Sequence, residues 1–368
     1  MNGAAPDVLI VGGGIVGAAC AWECSLGGLK VMVVEADVPG SGATAAGMGH
    51  IVAMEDSTPE FHLTRYSQII WNELVHEMPA GVEYLPCGTL WVAVDEEEMA
   101  GARRKQASYL GRGVPAELLD ARQLAEAEPS LRSGLVGGLL VPEDSALYPP
   151  VAAQWLLTQS GAEVRRGRVV SISDSGAQLE DGTLLTAGII VNAAGAMSSK
   201  LMPGVPVTPR KGHLVITERY PGFLRHQVVE LGYLKSAHAA GGDSVALNVQ
   251  PRATGQVLIG SSRQHGATHK EIDRPILSAM LRRAEEYLPG IMDLVAVRCW
   301  TGFRATTPDK LPLIGPWPGT QRVWLATGHE GLGITTGPAT GRLVADLILG
   351  RTPAIPAQPY LPARCGHA

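Results

Sequence analysis

The sequence is short of cysteine, has no surplus of basic charge and lacks a long apolar run, and each shortage removes a class of protein. Its five cysteines, at 20, 24, 87, 299 and 365, are odd in number and show no C-x-x-C spacing. That argues against structural zinc, an iron–sulfur cluster or a disulfide framework, and fits free thiols in a reducing cytosol. Thirty Lys and Arg against 35 Asp and Glu leave a net charge of −5, without the electrostatic footprint of a nucleic-acid binder. The longest apolar stretch, Val8 to Trp22, is too short and too glycine-rich for a transmembrane segment. The opening residues Met1 to Asp7 carry no basic region of a secretory signal. The expected location is cytoplasmic, with peripheral attachment to the inner face of a membrane as a variant.

What is present is a folded chain. With 368 residues, 45% of them apolar and 18% charged, it has material for two or three domains and is not a disordered polymer. Glycine is in excess, 45 of 368 residues, or about 12% against a usual ~7%. Without a collagen-like repeat, that excess points to tight turns and close backbone approaches.

Val8 to Val11 reads as a buried parallel strand, Ala18 to Leu26 as a helix, and Val31 to Val34 as a second buried strand ending at Glu35. A small-residue loop fills 37–50, and a helical pattern follows from about Pro59 to Met78. Between 81 and 147 the texture changes to short strands, among them 88–94, with a polar helix at 95–110 that opens on Glu96, Glu97 and Glu98, a solvated helix start. The α/β texture returns at 149–200, ending in the strand Ile189 to Val191. Residues 212–300 are again β-rich with one helix near 275–288, and a last helix is expected at 338–349. Arg103-Arg104-Lys105 and Arg165-Arg166 read as solvated faces. The pieces imply two interleaved domains: 1–80, 148–212 and 304–368 in one, 81–147 and 213–303 in the other.

Gly12-x-Gly14-x-x-Gly17 lies between a strand and a helix. The first glycine permits the turn, the second admits a pyrophosphate to the backbone, and the third lets helix and strand pack closely. Ala21 offers a small packing face, and Glu35 stands 18 residues after Gly17 (35 − 17), where it can accept hydrogen bonds from ribose hydroxyls. An acidic residue there disfavours a 2′-phosphate, so NADP is disfavoured while FAD and NAD both remain open.

Three further segments resemble the FAD-dependent D-amino-acid oxidase family, which holds glycine oxidase, sarcosine oxidase and D-hydroxyproline dehydrogenase. Ser41-Gly42-Ala43-Thr44-Ala45-Ala46-Gly47-Met48 is similar to its flavin loop. Val191-Asn192-Ala193-Ala194-Gly195-Ala196-Met197-Ser198 is similar to its V-N-A-A-G-x-W-S strand end, with Met197 in place of Trp. Gly328-His329-Glu330-Gly331-Leu332-Gly333-Ile334-Thr335 is similar to its last flavin turn. The resemblance implies a glutathione-reductase-like, Rossmann-type FAD-binding domain interleaved with an antiparallel β-sheet plus helices. It implies FAD held by Gly12, Gly14, Ile15, Val16, Gly17, Glu35, Ala36, Ser41, Gly42, Thr44, Ala46, Gly47, Met48, Val169, Ala194, Gly195, Gly302, His329, Gly331, Leu332, Gly333, Ile334 and Thr335, with no metal.

Trp300-Thr301-Gly302-Phe303-Arg304 resembles the stretch whose arginine grips the substrate carboxylate. A guanidinium suits this because its planar fork binds a carboxylate bidentately and stays charged. The bland reading of Arg304 is a structural ion pair, with Asp309 as partner. The implied reaction is oxidation of a small amino acid, D-proline, D-hydroxyproline or an N-substituted glycine, to its imine by hydride transfer to flavin N5. Glycine or sarcosine oxidation with oxygen is the alternative, as is a flavin subunit of a hetero-oligomeric dehydrogenase. Electrons would pass to oxygen, to a respiratory chain or to a partner subunit. His50 and Tyr233 are further candidates for the substrate cavity, each with a packed side chain as the other reading. His329 is expected to line the cofactor. Cys299, considered as a covalent flavin attachment, reads better as a buried strand cysteine, and His265-x-x-x-His269 has helical metal spacing but lies in a glycine-containing segment with no nearby carboxylate pattern, which argues against a metal there. Gly331 stands where many relatives have a second arginine.

Overall fold

The computed structural model describes residues 5–54, 56–232 and 242–365. Two large sheets organise it. The first has six strands in the order Leu313–Pro316, Val323–Thr327, Ile189–Asn192, Val8–Val11, Val31–Glu35 and Glu163–Arg166. All neighbours are parallel except the first pair. Val8–Val11 is apolar throughout and wholly buried because helices and loops cover both faces of the sheet. Helix Ile15–Leu26 lies between helix Gly333–Ile348 and helix Pro149–Ser160. Ala18, Ala19 and Ala21 are fully buried, and these small side chains let three helices meet at close range. Antiparallel strands Val169–Ser173, Gly176–Leu179 and Leu184–Leu185 form a small separate sheet.

The second large sheet runs Ala296–Thr306, Thr208–Arg219, Gln256–Arg263, Ser244–Pro251, Gln227–Glu230, Thr89–Ala93, Gly137–Val141, Glu117–Asp120. It is antiparallel apart from one parallel pairing, Gln227–Glu230 with Thr89–Val92, where the two chain segments that build it meet. Helix Arg274–Tyr287 packs on one face, where Met280, Ala284 and Tyr287 join Val215, Val249 and Ile259. Helix Glu96–Leu110 packs on the other, where Met99, Ala102 and Tyr109 join Trp91 and Val229. Thr208–Arg219 and Ala296–Thr306 run unbroken through 212/213 and 303/304, and both lie wholly in the second sheet.

Several expectations need correction. The helix expected at 338–349 begins at Gly333, with Pro338 inside it. Proline normally marks a helix start, but here neighbouring side chains satisfy the groups it leaves unbonded, as described below. The helix expected at 59–78 is Thr58–Leu74, capped by Ser57. Lys105 is not part of a solvated face: it is 4% exposed, with Nζ 4.3 Å from the Trp91 ring centre and 5.1 Å from that of Tyr109, so its charge rests on aromatic faces. Cys299 is in a strand but exposed, because that strand forms the edge of the sheet. Among the described residues no helix is long and apolar enough to cross a membrane.

Candidate active site

The turn from Val11 into helix Ile15–Leu26 is built for close approach. Gly12 has φ +109°, outside the range of ordinary side chains, and a Cβ on Gly17 would overlap the Gly12 carbonyl. The helix has Gly14 at its N-cap, no side-chain cap and no acidic residue in its first turn, so its positive end suits an anion. Glu35 ends the adjacent strand. Its Oε2 accepts the Gly13 N–H at 2.7 Å and its Oε1 the Asp37 N–H at 2.9 Å, which places the carboxylate beside the turn. Ala36 follows it, and Val169 lies in a strand whose core includes Val34 and Val11. Thr44 Oγ1 accepts the Ile15 N–H at 2.9 Å, tying the 41–48 loop to the helix start. Ser41 and Gly42 are exposed at the head of that loop. These residues fit the pyrophosphate and ribose of FAD.

The rest of the loop is wedged between the two sheets. A Cβ on Gly47 would strike Ile334, and one on Gly302 would overlap the Ala46 side chain. The Met48 sulfur lies 3.1 Å from where Gly260 would carry a Cβ. Ala194 and Gly195 follow strand Ile189–Asn192, with Ala194 N–H on Asn192 Oδ1 at 3.2 Å. Met197 is 46% exposed and takes no part in the core. At the last turn Leu332 N–H bonds His329 O, and Gly333, Ile334 and Thr335 open the final helix. Thr335 Oγ1 donates to His50 O at 2.8 Å, joining this turn to the end of the loop.

His329 is 6% exposed, and burial pushes its pKa down to about 3. The Thr340 hydroxyl donates to Thr336 O, so its oxygen accepts from His329 Nε2 at 3.0 Å, which fixes the proton of the neutral ring on Nε2. His50 is also held neutral: burial lowers its pKa to about 4, against an opposing pull from the Gln250 side chain alongside. Its Nε2 is buried without a hydrogen bond of good geometry. Gln250 itself donates to Met48 O at 2.7 Å.

Arg304 stands on the same side. Antiparallel pairing sets Arg304 opposite Arg210, Gly302 opposite Gly212 and Trp300 opposite Leu214, which places all six on one face. Arg304 Nη1 donates to Ser262 O at 2.9 Å, and its guanidinium crosses Gly212, where a Cβ would collide with it. Gly331 lies beside the Arg304 stem. Asp309 is bound by Arg364 through two hydrogen bonds of 2.7 and 3.1 Å, so the expected structural partner of Arg304 is occupied elsewhere. Arg210 pairs with Glu330 of the last turn. Tyr233 lies outside the described residues. Two groups escaped the sequence reading, Gln250 and Asn248, while the Trp300 indole was read only as part of the stretch leading to Arg304; Asn248 Oδ1 and Trp300 Nε1 are both buried without hydrogen-bond partners. Only cross-strand register reveals them, and no local motif announces it.

The model of the FAD-dependent oxidoreductase family described as DAO matches residues 7–347. The chain belongs to this family. FAD is therefore its cofactor, and it is an oxidoreductase. A glycine oxidase of Pseudomonas aeruginosa is 28% identical over 97% of this chain and 98% of its own length. A bifunctional ThiO/ThiG protein of Trichormus variabilis is 30% identical over 93% of this chain and 52% of its own length. The crystal structure of glycine oxidase from Geobacillus kaustophilus superposes with a TM-score of 0.87 at 28% identity, covering 98% of each chain. Family membership and these likenesses agree with the fold expected from the glycine motifs.

Proposed function

We propose that the protein oxidises a small amino acid to its imine, with Arg304 holding the carboxylate. D-proline, D-hydroxyproline and N-substituted glycines are the leading substrates, and glycine itself is the alternative that the named relatives favour. The observation that carries this reading is the position of Arg304: its guanidinium lies on the sheet face that meets the 44–48 loop, next to Gly331 of the last turn. FAD, when bound, would supply a two-electron oxidant for the carbon that bears the amine.

The chain's own residues then have three tasks. The 41–48 loop, the Ala194–Gly195 turn and the 328–335 turn hold the cofactor. Arg304 docks the carboxylate and so aims the reacting carbon. His50 and His329, both uncharged, bring no cation to compete for that carboxylate. Asn248 and Trp300 offer buried polar atoms to the remainder of the substrate. In this reading 1–80, 148–212 and 304–368 form the cofactor unit, and 81–147 with 213–303 form the roof over it. The electron acceptor is oxygen, a respiratory carrier or a partner subunit.

The test is anaerobic titration of the purified yellow protein with D-proline, hydroxyprolines, sarcosine, glycine and D-alanine, following bleaching of the flavin band near ~450 nm. At least one is expected to bleach it. Arg304→Leu should keep the band and lose the bleaching. If Arg304→Leu is bleached as fast as the parent, the carboxylate site lies elsewhere.

A further inference from the structure

We infer that Ser262 and His213 are positioning residues that aim the Arg304 guanidinium from the face of the sheet turned away from the cofactor loop. The inference rests on the reading of Arg304 as the carboxylate clamp. Arg304 is long, and a two-pronged grip demands a fixed guanidinium plane. One constraint is Gly212 beneath it; another is the hydrogen bond from Nη1 to Ser262 O.

Ser262 is itself held through its side chain. Its Oγ accepts the His213 backbone N–H at 2.9 Å and lies 2.9 Å from His213 Nδ1. Along Thr208–Arg219, Gly212 and Leu214 face the loop side, so His213 between them faces the other way. There its Nε2 accepts the Asp273 backbone N–H at 3.0 Å. An accepting Nε2 requires the proton of the neutral ring on Nδ1, and Nδ1–H then donates to Ser262 Oγ. Asp273 is the N-cap of helix Arg274–Tyr287. One carboxylate oxygen accepts the Ile276 N–H at 3.2 Å and the other accepts Gln264 Nε2 at 2.8 Å.

A continuous path thus runs from a capped helix start through His213 and Ser262 to the nitrogen of Arg304 that fixes its plane. His213 and Ser262 are buried, 0% and 1% exposed, so water does not replace these bonds. Burial and the positive Lys211 and Arg304 disfavour an imidazolium here, while Asp273 favours one. A protonated ring would also set two donors, Nε2–H and the Asp273 N–H, against each other.

The experiment measures calorimetric binding of acetate and of its neutral isostere acetamide to the FAD-loaded protein. Ser262→Ala and His213→Leu should weaken acetate about 3- to 10-fold, the loss of one or two hydrogen bonds, and change acetamide less than about twofold. His213→Asn, which keeps a donor at the Nδ1 position, should restore acetate to within about twofold of the parent. Unchanged acetate affinity in Ser262→Ala and His213→Leu overturns the inference. Equal weakening of both ligands, with no rescue by His213→Asn, also overturns it, since that marks a merely structural role. If His213→Leu does not fold, Ser262→Ala and His213→Asn decide alone. Acetate binding that survives Arg304→Leu instead refutes the reading of Arg304 itself, and this inference falls with it.

Discussion

At the scale of the residue, the proposed cofactor cradle contains places where a single added carbon has nowhere to go, at Gly12, Gly17, Gly47 and Gly302. Gly17 is the sharpest, since a Cβ there would overlap the Gly12 carbonyl in the turn facing the helix start. Gly17→Ala is expected to weaken FAD binding by at least about tenfold, a loss of ~1.4 kcal/mol or more; titration of the flavin-stripped variant with FAD measures it. Unchanged affinity would show that the turn relaxes at no cost. Cradle glycines are legible in sequence because backbone approach is a local demand that only glycine meets. Arg304 was legible because the stretch Trp300 to Arg304 resembles one that carries a carboxylate-binding arginine in the family. The groups that surround it were not. Gly212, Ser262 and Gln250 lie 92, 42 and 54 residues from Arg304 (304 − 212, 304 − 262, 304 − 250), and strand register alone joins them.

At the scale of the element, the last helix shows why one boundary was misread. Pro338 has no N–H to give to Ile334 O, four residues earlier. Trp71 Nε1, from helix Thr58–Leu74, supplies the missing donor, lying 3.0 Å from both Ile334 O and Thr335 O. Ser67 Oγ accepts the Ala339 N–H at 3.1 Å from the same helix. A proline that sequence logic places at a helix start is thus tolerated five residues inside, because a neighbouring helix completes the bonding. The repaired carbonyls belong to the turn that carries Leu332 to Thr335, so the device also steadies the cofactor turn. Trp71→Phe should lower stability by about 1–3 kcal/mol, the cost of buried carbonyls left unpaired, and weaken FAD retention. Pro338→Ala restores the main-chain donor. In the Trp71→Phe background it should recover at least half of the lost stability, measured by denaturant midpoint. If the double variant is no better than Trp71→Phe alone, packing of the indole rather than its N–H is what matters.

At the scale of the whole molecule, buried titrating groups set opposing slopes on stability against pH. His50 and His329 have native pKa values of about 4 and about 3, below the ordinary 6.5. Unfolding exposes them to protonation, so their contribution is complete above about pH 6.5 and is lost as pH falls. His213 is lowered as well and acts in the same direction. Asp144 does the opposite. It is 1% exposed, and burial raises its pKa from 3.8 to about 7 despite hydrogen bonds from Ala53 N–H and Gln68. Between about pH 4 and 7 the native state keeps a proton that the unfolded chain has released, so stability falls as pH rises through that window. Glu23, raised by burial, adds to this side. Each unbalanced proton is worth about 1.4 kcal/mol per pH unit. From pH 4 to 6.5 the three lowered histidines outweigh the two raised carboxyls, Asp144 and Glu23, and stability climbs; from 6.5 to 7 Asp144 acts without them and stability declines. The denaturant midpoint, measured from pH 5 to 8, should therefore peak between about pH 6 and 7. Asp144→Asn keeps an acceptor for Ala53 and Gln68 but cannot ionise. It should be more stable than the parent at pH 8 by about 2–4 kcal/mol, with the advantage shrinking toward pH 5. An Asp144→Asn variant less stable than the parent at pH 8 would show that the ionised carboxylate is tolerated in its buried site, and that the alkaline decline has another source.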